Sequence, residues 1–490
     1  MKRIIAFLLL AVMIFSMTAC GGNTVSVDDV KEGKVTLPPQ KDDQGNVIEG
    51  NFAVPSVGYD GSAVTITFGH TMGQSLQKVL NEHIVEFNKL YPNITITHSS
   101  YGGWGDIAGL INKEIIAGEQ PDIAYCYPDH VAGYNKAWAT VTLNELIKSE
   151  IEVSRADGTT EVLGLTAEQI EDLKAGGFYE EGMVYGDGLM YTMPLSKSTE
   201  VLYYNKTFFD ANNLTVPTTW DEMEAMCKTL KELDPKCIPL GYDSEDNMFI
   251  TMCEQMGYGY TSATGDEHYL FNNDDCKTFV KRFRDWYQAG YITTEALYGA
   301  YTSGLFTELD ANVSHSYMCI GSSGGASYQR PENNAFEVGV APIPQADANN
   351  MKVISQGPSL CLLRSENDQE TIAAWLFMKY LVTNEVFQAE FSMTSGYMPV
   401  TASAKNNEVY KTLFLDKADG GANLPALVVK VALDQTDRYF TSPAFVGSSI
   451  ARTQVGALLA ACMSKATDNV DAMINEQFQK AYDECKYMGG

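Results

Sequence analysis

Between Ala63 and Cys126 the hydrophobic period switches back and forth between that of a strand and that of a helix, and this constrains the fold more than any other feature of the chain. Ala63 to Gly69 alternates apolar and polar residues as a half-buried strand does. Leu76, Val79, Leu80, Ile84 and Phe87 then recur at helical spacing between Ser75 and Tyr91, and Pro92 stops the run. Ile94 to Thr97 predicts a second strand, Ile107 to Ala117 a second helix closed by Gly118 and Pro121, and Asp122 to Cys126 a short buried strand. Strands joined in this order through helices need right-handed crossovers and a largely parallel sheet, so the fold class is α/β. A single core stops growing near ~250 to 300 residues. A chain of 490 residues therefore predicts two lobes.

The later chain repeats the alternation less regularly. After an insertion from Ser149 to Gly188, Met190 to Pro194 leads into an apolar strand from Thr199 to Asn205 and a helix beginning near Lys206. Thr219, with Glu222 three residues on, predicts a capping box at the next helix. Glu370 to Leu381, Val455 to Lys465 and Asn469 to Tyr482 also read as helices, with no internal repeat and no low-complexity tract.

The N-terminus has the three parts of an export signal: Lys2 and Arg3, an apolar run from Ile4 to Phe15, and small residues before Cys20. That run is shorter than the ~20 residues a membrane-spanning helix needs. Ser16 to Cys20 resembles a bacterial lipobox, with Met17 where Leu is more usual, which implies a signal peptide over 1–19 and lipidation of Cys20. The alternative is a plain secretory signal with an incidental cysteine. Residues 20–61, rich in Gly, Asn, Asp and Lys with Pro38 and Pro39, read as a flexible tether. Nine cysteines follow Cys20 without a Cys-x-x-Cys pair, so at least one thiol stays unpaired within the chain. Cys227 and Cys237 are a disulfide candidate, with buried free thiols as the competing reading.

The net charge of −28, from 34 basic and 62 acidic residues, opposes a nucleic-acid partner, which would demand a basic stripe. It equally opposes adsorption to anionic lipid. The 27 Tyr and 5 Trp instead supply ring surfaces for stacking.

Several segments in one order resemble the extracytoplasmic solute-binding proteins of ABC importers, in the carbohydrate-binding group that includes maltodextrin and glycerol-3-phosphate binders. They are Val64 to Phe68, Phe87 to Pro92, Ala117 to Ile123, Val201 to Lys206, Val216 to Glu222, Val338 to Pro344 and Thr394 to Val400. The resemblance covers residues 62 to 485. It implies a two-lobed periplasmic-binding-protein-like fold with discontinuous lobes, 62–195 plus 352–404 and 196–345 plus 408–490. Hinge crossings are then expected near Pro194 to Glu200, Pro342 to Val353 and Ala402 to Glu408. It also implies a monomer at the extracytoplasmic face of a bacterial membrane, anchored through Cys20, that passes a sugar or oligosaccharide to permease subunits. No enzyme activity, cofactor or metal is expected.

A sugar needs flat rings for its C–H face and planar polar groups for its hydroxyls, both sought in loops at strand ends. Trp104 in Tyr101 to Asp106 is a candidate ring platform, or alternatively core beneath a helix. His70 and Gln74 follow the first strand, with a structural histidine as the rival role for His70. Asp129, after the Asp122 to Cys126 strand, is a candidate hydroxyl acceptor or a helix cap. Ser198 and Glu200 lie at the first crossing, where Glu200 could equally be a solvated strand-edge charge. Asp243 and Asn247 follow Ile238 to Leu240, with calcium-loop or turn chemistry as the alternative. The resemblance further implies that Gly357 and Tyr397 approach the ligand. Glycerol-3-phosphate binders carry tryptophans where Gly241 to Asn247 stand, and their absence here favours an uncharged polyhydroxylated ligand. In those binders a late Arg grips the phosphate, and Arg452 lies roughly there, with a structural ion pair as its first-ranked role.

The runner-up reading is a polyol-phosphate binder, and a secreted carbohydrate-active hydrolase ranks below it. Gly321 to Gly325 matches the Gly-x-Ser-x-Gly elbow, but Ala326 to Pro331 supplies no following helix. There is no His-Glu-x-x-His and no Gly-x-x-x-x-Gly-Lys-Ser/Thr loop. An adhesive surface protein would favour β-sandwich repeats over this alternation.

Overall fold

The computed structural model describes residues 41–489 apart from Asp43 and Lys136, so the signal segment and Cys20 lie outside the described residues. The opening alternation becomes strands β1 (Val64–His70), β2 (Ile94–Ser100) and β3 (Ile123–Cys126), separated by helices Gln74–Leu90 and Trp104–Ala117. After β4 (Thr192–Pro194) the chain crosses into a second sheet of β5 (Glu200–Asn205), β6 (Leu240–Tyr242), β7 (Ile292–Thr294), β8 (Met318–Ser322) and β9 (Val338–Pro342). It returns through β10 (Val353–Ile354) to β11 (Ser359–Leu362), and a late strand, β12 (Tyr439–Phe440), pairs with β10.

The first sheet runs β2-β1-β3-β11-β4 and the second β9-β5-β8-β6-β7. Where consecutive crossovers build a sheet its strands are parallel, as in β2-β1-β3 and β8-β6-β7. The strands arriving from the other lobe, β5 and β11, insert antiparallel. Each sheet carries its own buried cluster, the first around Phe68, Ile123, Trp375 and Phe377, the second around Tyr242, Phe249, Phe283 and Trp286. Local chemistry follows the sequence where it is strongest. Thr219 Oγ1 accepts from the Glu222 amide at 3.2 Å and the Glu222 carboxylate accepts from the Thr219 amide at 3.3 Å, closing the capping box on helix Trp220–Leu233.

Three boundaries differ from those the sequence suggests. The end of the expected tether is part of the first lobe: the Asn51 amide donates to Thr142 Oγ1 at 2.8 Å, and Phe52 and Tyr59 are buried, Tyr59 edge-on to Tyr91. The second crossing is Ser355 to Pro358, later than Pro342 to Val353, because Val353 and Ile354 still bury their side chains in the second core. The third falls beyond Ala402 to Glu408. Tyr410 and Phe414 remain in the first core, so the segment from Glu408 to Leu413 lies with the first lobe. Helix Leu424–Leu433 then divides its faces, Ala426, Val429 and Ala432 toward the first core and Leu424 and Val428 toward the second sheet.

The crossings are laced together. Ser198 and Gln356 exchange both backbone hydrogen bonds at 2.8 Å, and Lys197 and Met398 do so at 3.0 and 2.6 Å. Lys197 is buried and its ammonium pairs with Glu181 at 2.5 Å. The expected thiol alternatives also resolve: all nine described cysteines are unpaired and buried, Cys227 and Cys237 among them.

Candidate functional site

Both sheets turn the ends of their strands toward a cleft of about 1210 Å³ between the lobes. On the first-lobe side, Trp104 opens helix Trp104–Ala117 directly after β2, and Tyr127 follows β3. Their rings stack at 4.3 Å with planes 14° apart, and Trp104 is also near-parallel to Tyr125 at 5.9 Å. Such a stack, worth about 0.5–1.5 kcal/mol beyond its area, holds the half-buried indole flat against the lobe with an edge of the cleft before it. Tyr397 reaches across, its Cζ only 2.7 Å from where a side chain on Gly324 would begin, so this approach requires glycine there.

The second-lobe side is acidic. Asp243, Glu245, Asp246 and Asn247 lie at the start of helix Glu245–Met256, capped by Ser244, which accepts from the Asn247 amide. Arg452, on helix Ser448–Ser464, spans the gap: its Nη1 donates to Asp246 at 2.8 Å and to Asn247 Oδ1 at 2.7 Å, while its Nε lies 3.4 Å from Asp129 of the first lobe. Gln356 of the second crossing also donates to Asn247 Oδ1, at 3.0 Å. Burial alone would lower the Arg452 pKa, but Asp246 and Asp129 carry it upward, so the guanidinium stays charged. Glu200, buried at the head of β5, accepts from the Tyr242 hydroxyl at 2.8 Å. Burial, reinforced by the charge of Asp246, pushes its carboxyl up to about 8, so it is mainly protonated at neutral pH and can donate. Among the described residues no group of three or more His, Cys, Asp or Glu side chains converges as metal ligands would, and no helix is long and apolar enough to cross a membrane.

The sequence model of bacterial extracellular solute-binding proteins matches residues 82–415 of this chain. The chain belongs to that family. Among curated relatives of this solute-binding protein, the sn-glycerol-3-phosphate-binding periplasmic protein UgpB of Pectobacterium atrosepticum is 27% identical over 368 residues, covering 72% of this chain and 77% of the relative. Among solved structures, the cyclic alpha-maltosyl-1,6-maltose binding protein of Arthrobacter globiformis superposes with a TM-score of 0.66 at 17% identity, over 87% of this chain and 100% of that one. UgpB of Mycobacterium tuberculosis, in complex with glycerophosphocholine, gives 0.65 at 17% identity, over 87% and 98%. At these identities the structures speak for the shared two-lobed fold.

Of the residues singled out in the sequence, Trp104, Asp129, Ser198, Glu200, Asp243, Asn247, Tyr397 and Arg452 all line the cleft of the solute-binding protein. Three do not. His70 is wholly buried, bonded through Nε2 to His98 Nδ1 at 2.9 Å and edge-on to Phe68, and burial followed by the neighbouring His98 lowers its pKa to about 4. Gln74 begins an exposed helical turn outside the cleft. Gly357 has φ +96° and its Cα hydrogen points at the Ser196 carbonyl and Ser198 amide, so it shapes the crossing, while its neighbour Gln356 reaches the cleft. Asp129 sits in the first turn of Pro128–Asn135 as an ion-pair partner, and Glu200 is buried rather than solvated. Asp243 is tied to the fold, accepting from the Thr302 amide and hydroxyl at 2.6 Å each. Ser323, the central serine of the elbow-like run, is fully buried and its Oγ accepts from the Thr199 amide at 3.1 Å, so this hydroxyl does not face the cleft. The sequence reading missed Glu295, Tyr301, Tyr328 and Gln329 of the second lobe. Glu295 does follow a strand end, the same signal that picked out Asp129.

Proposed function

We propose that this chain captures a sugar or short oligosaccharide between its lobes, unaltered, and delivers it to the permease of an ABC importer. It would act as a monomer on the outer face of the bacterial membrane, held there by a lipid on Cys20. The observation that carries this reading is the pairing of a flat ring wall, Trp104 on Tyr127, with a facing wall of carboxylates and amides. Rings cover the C–H face of a pyranose and planar acceptors take its hydroxyls. Closure follows from tighter binding to the closed form, in which both walls touch the ligand.

Relatives named for glycerol 3-phosphate support a second reading, a polyol-phosphate binder. Against it, Arg452, the one guanidinium lining the cleft among the described residues, already faces Asp129, Asp246 and Asn247. A phosphate would have to displace those partners and settle among uncompensated carboxylates. A thermal-shift and titration panel of mono- and oligosaccharides, glycerol 3-phosphate and glycerophosphocholine separates the two. A saccharide should stabilise the protein by about 2.7 kcal/mol at a hundredfold excess over its Kd. Binding of glycerol 3-phosphate with no response to any saccharide would replace the first reading by the second, and release of a cleaved product would make the protein an enzyme.

A further inference from the structure

The two walls of the cleft touch through the protein's own side chains. Asp129 stands in the first turn of the first-lobe helix Pro128–Asn135, and Arg452 in the second turn of the second-lobe helix Ser448–Ser464. Both line the cleft, and Arg452 Nε lies 3.4 Å from Asp129 Oδ2. The guanidinium is divided between the lobes: its Nη1 is held by Asp246 and Asn247 of its own lobe, so the Nε edge is what it presents to the other. Gln356, from the second crossing, holds the same Asn247 oxygen. The side chains of Arg452 and Asp129 are only 22% and 13% exposed, which weakens screening of the pair by salt. A second contact joins the same two walls. Tyr397 packs against the first core, and its ring presses so closely on Gly324, in the second-lobe turn Ser323–Gln329, that a larger residue there would collide with it.

We infer that the Asp129–Arg452 pair is a latch across the cleft, biasing the lobes toward each other before any ligand enters. Opening the cleft must part a carboxylate from a guanidinium, rehydrate both and lift Tyr397 off Gly324. The pair's share of that cost lies between those of an exposed and a buried ion pair. A closed form favoured by the protein itself reduces the population shift that a ligand's differential affinity has to supply, and so lowers the apparent Kd for whatever the cleft takes. Asp129 is the half of the latch that can be removed cleanly, because Arg452 keeps Asp246 and Asn247 when it is gone. The inference goes beyond sugar capture and does not depend on it, since every contact it uses joins protein to protein.

Small-angle X-ray scattering of the full protein, with no ligand added, tests the latch. Asp129→Asn keeps the shape of the side chain and loses its charge; it should enlarge the radius of gyration and raise the open-to-closed ratio fitted to the profile about tenfold. Asp129→Glu, which keeps the charge, should recover most of the wild-type compactness. Asp471→Asn, which breaks the ion pair with Lys281 outside the cleft, should leave the profile unchanged. Circular dichroism checks folding, and if Asp129→Asn loses structure, Arg452→Gln parts the pair from the other side and should expand the protein alike. An Asp129→Asn profile that superposes on the wild type's, an expansion that Asp129→Glu or Asp471→Asn shares in full, or a compact Arg452→Gln would overturn the latch and leave saccharide capture standing.

Discussion

The two walls of the cleft are built by opposite means. On the first lobe, Trp104 is held by ring stacking on Tyr127 and Tyr125, contacts without charge or strong directionality. On the second, Glu200, Asp243, Asp246 and Asn247 are each fixed by hydrogen bonds or an ion pair, and burial raises the carboxyl pKa of Glu200 and of Asp243. A stacked wall can lose a ring and keep its shape, whereas a wall of buried charges depends on every partner. The difference predicts that first-lobe substitutions act on ligand affinity and second-lobe substitutions on stability as well.

The largest expected effect falls where the walls meet. Arg452→Ala leaves Asp129 and Asp246 without their cation and should cost about 3 kcal/mol, read from urea unfolding. An unchanged midpoint would mean that the ion pair is a solvated accident. Asp129→Ala should show both a weaker affinity and a smaller loss of stability, since it removes one arm of the same cluster. Trp104→Ala should weaken saccharide binding by about tenfold or more while the unfolding midpoint barely moves, because the indole is only half-buried. If stability falls with affinity, Trp104 is core and the contrast between the walls fails.

Titration sharpens the comparison because the lobes respond to pH in opposite directions. Glu200 has its folded pKa raised from 4.5 to about 8, so its contribution is complete below 4.5 and is lost as pH rises through 8. His70 has its folded pKa lowered from 6.5 to about 4, so its contribution is complete above 6.5 and is lost as pH falls through 4. Glu200→Gln should therefore flatten the alkaline side of the stability profile and His70→Phe the acid side, by up to about 1.4 kcal/mol per pH unit. Chemical denaturation from pH 4 to 9 measures both, and a single variant that flattens both sides would contradict the separation. The smallest effect is Tyr328→Ala, whose exposed ring should cost a few-fold in affinity and nothing in stability.

The alternating order of strands and helices was legible because each element carries its own period, and the loops at strand ends led to Trp104, Asp129 and Asn247 for the same reason. The second and third crossings were not. Ser355 to Pro358 is too short to hold a period, and its position depends on which core Val353 and Ile354 enter. His70 misled because it ends a strand on the expected rim, yet its ring turns inward to His98, a contact made across β1 and β2. Glu295, Tyr301, Tyr328 and Gln329 escaped notice because they lie in short elements and connections, too brief to carry a period, whose position is set only when the second sheet assembles.

The unpaired cysteines have a practical consequence. Cys126 and Cys361 are sealed in the first core, and Cys227, Cys237, Cys253, Cys276, Cys462 and Cys485 in the second. Folding of the described residues thus forms no disulfide, and burial shields every one of these thiols from alkylating reagents until its own half opens. Pulsed alkylation followed by peptide mass mapping would record which half unravels first, without any label being introduced.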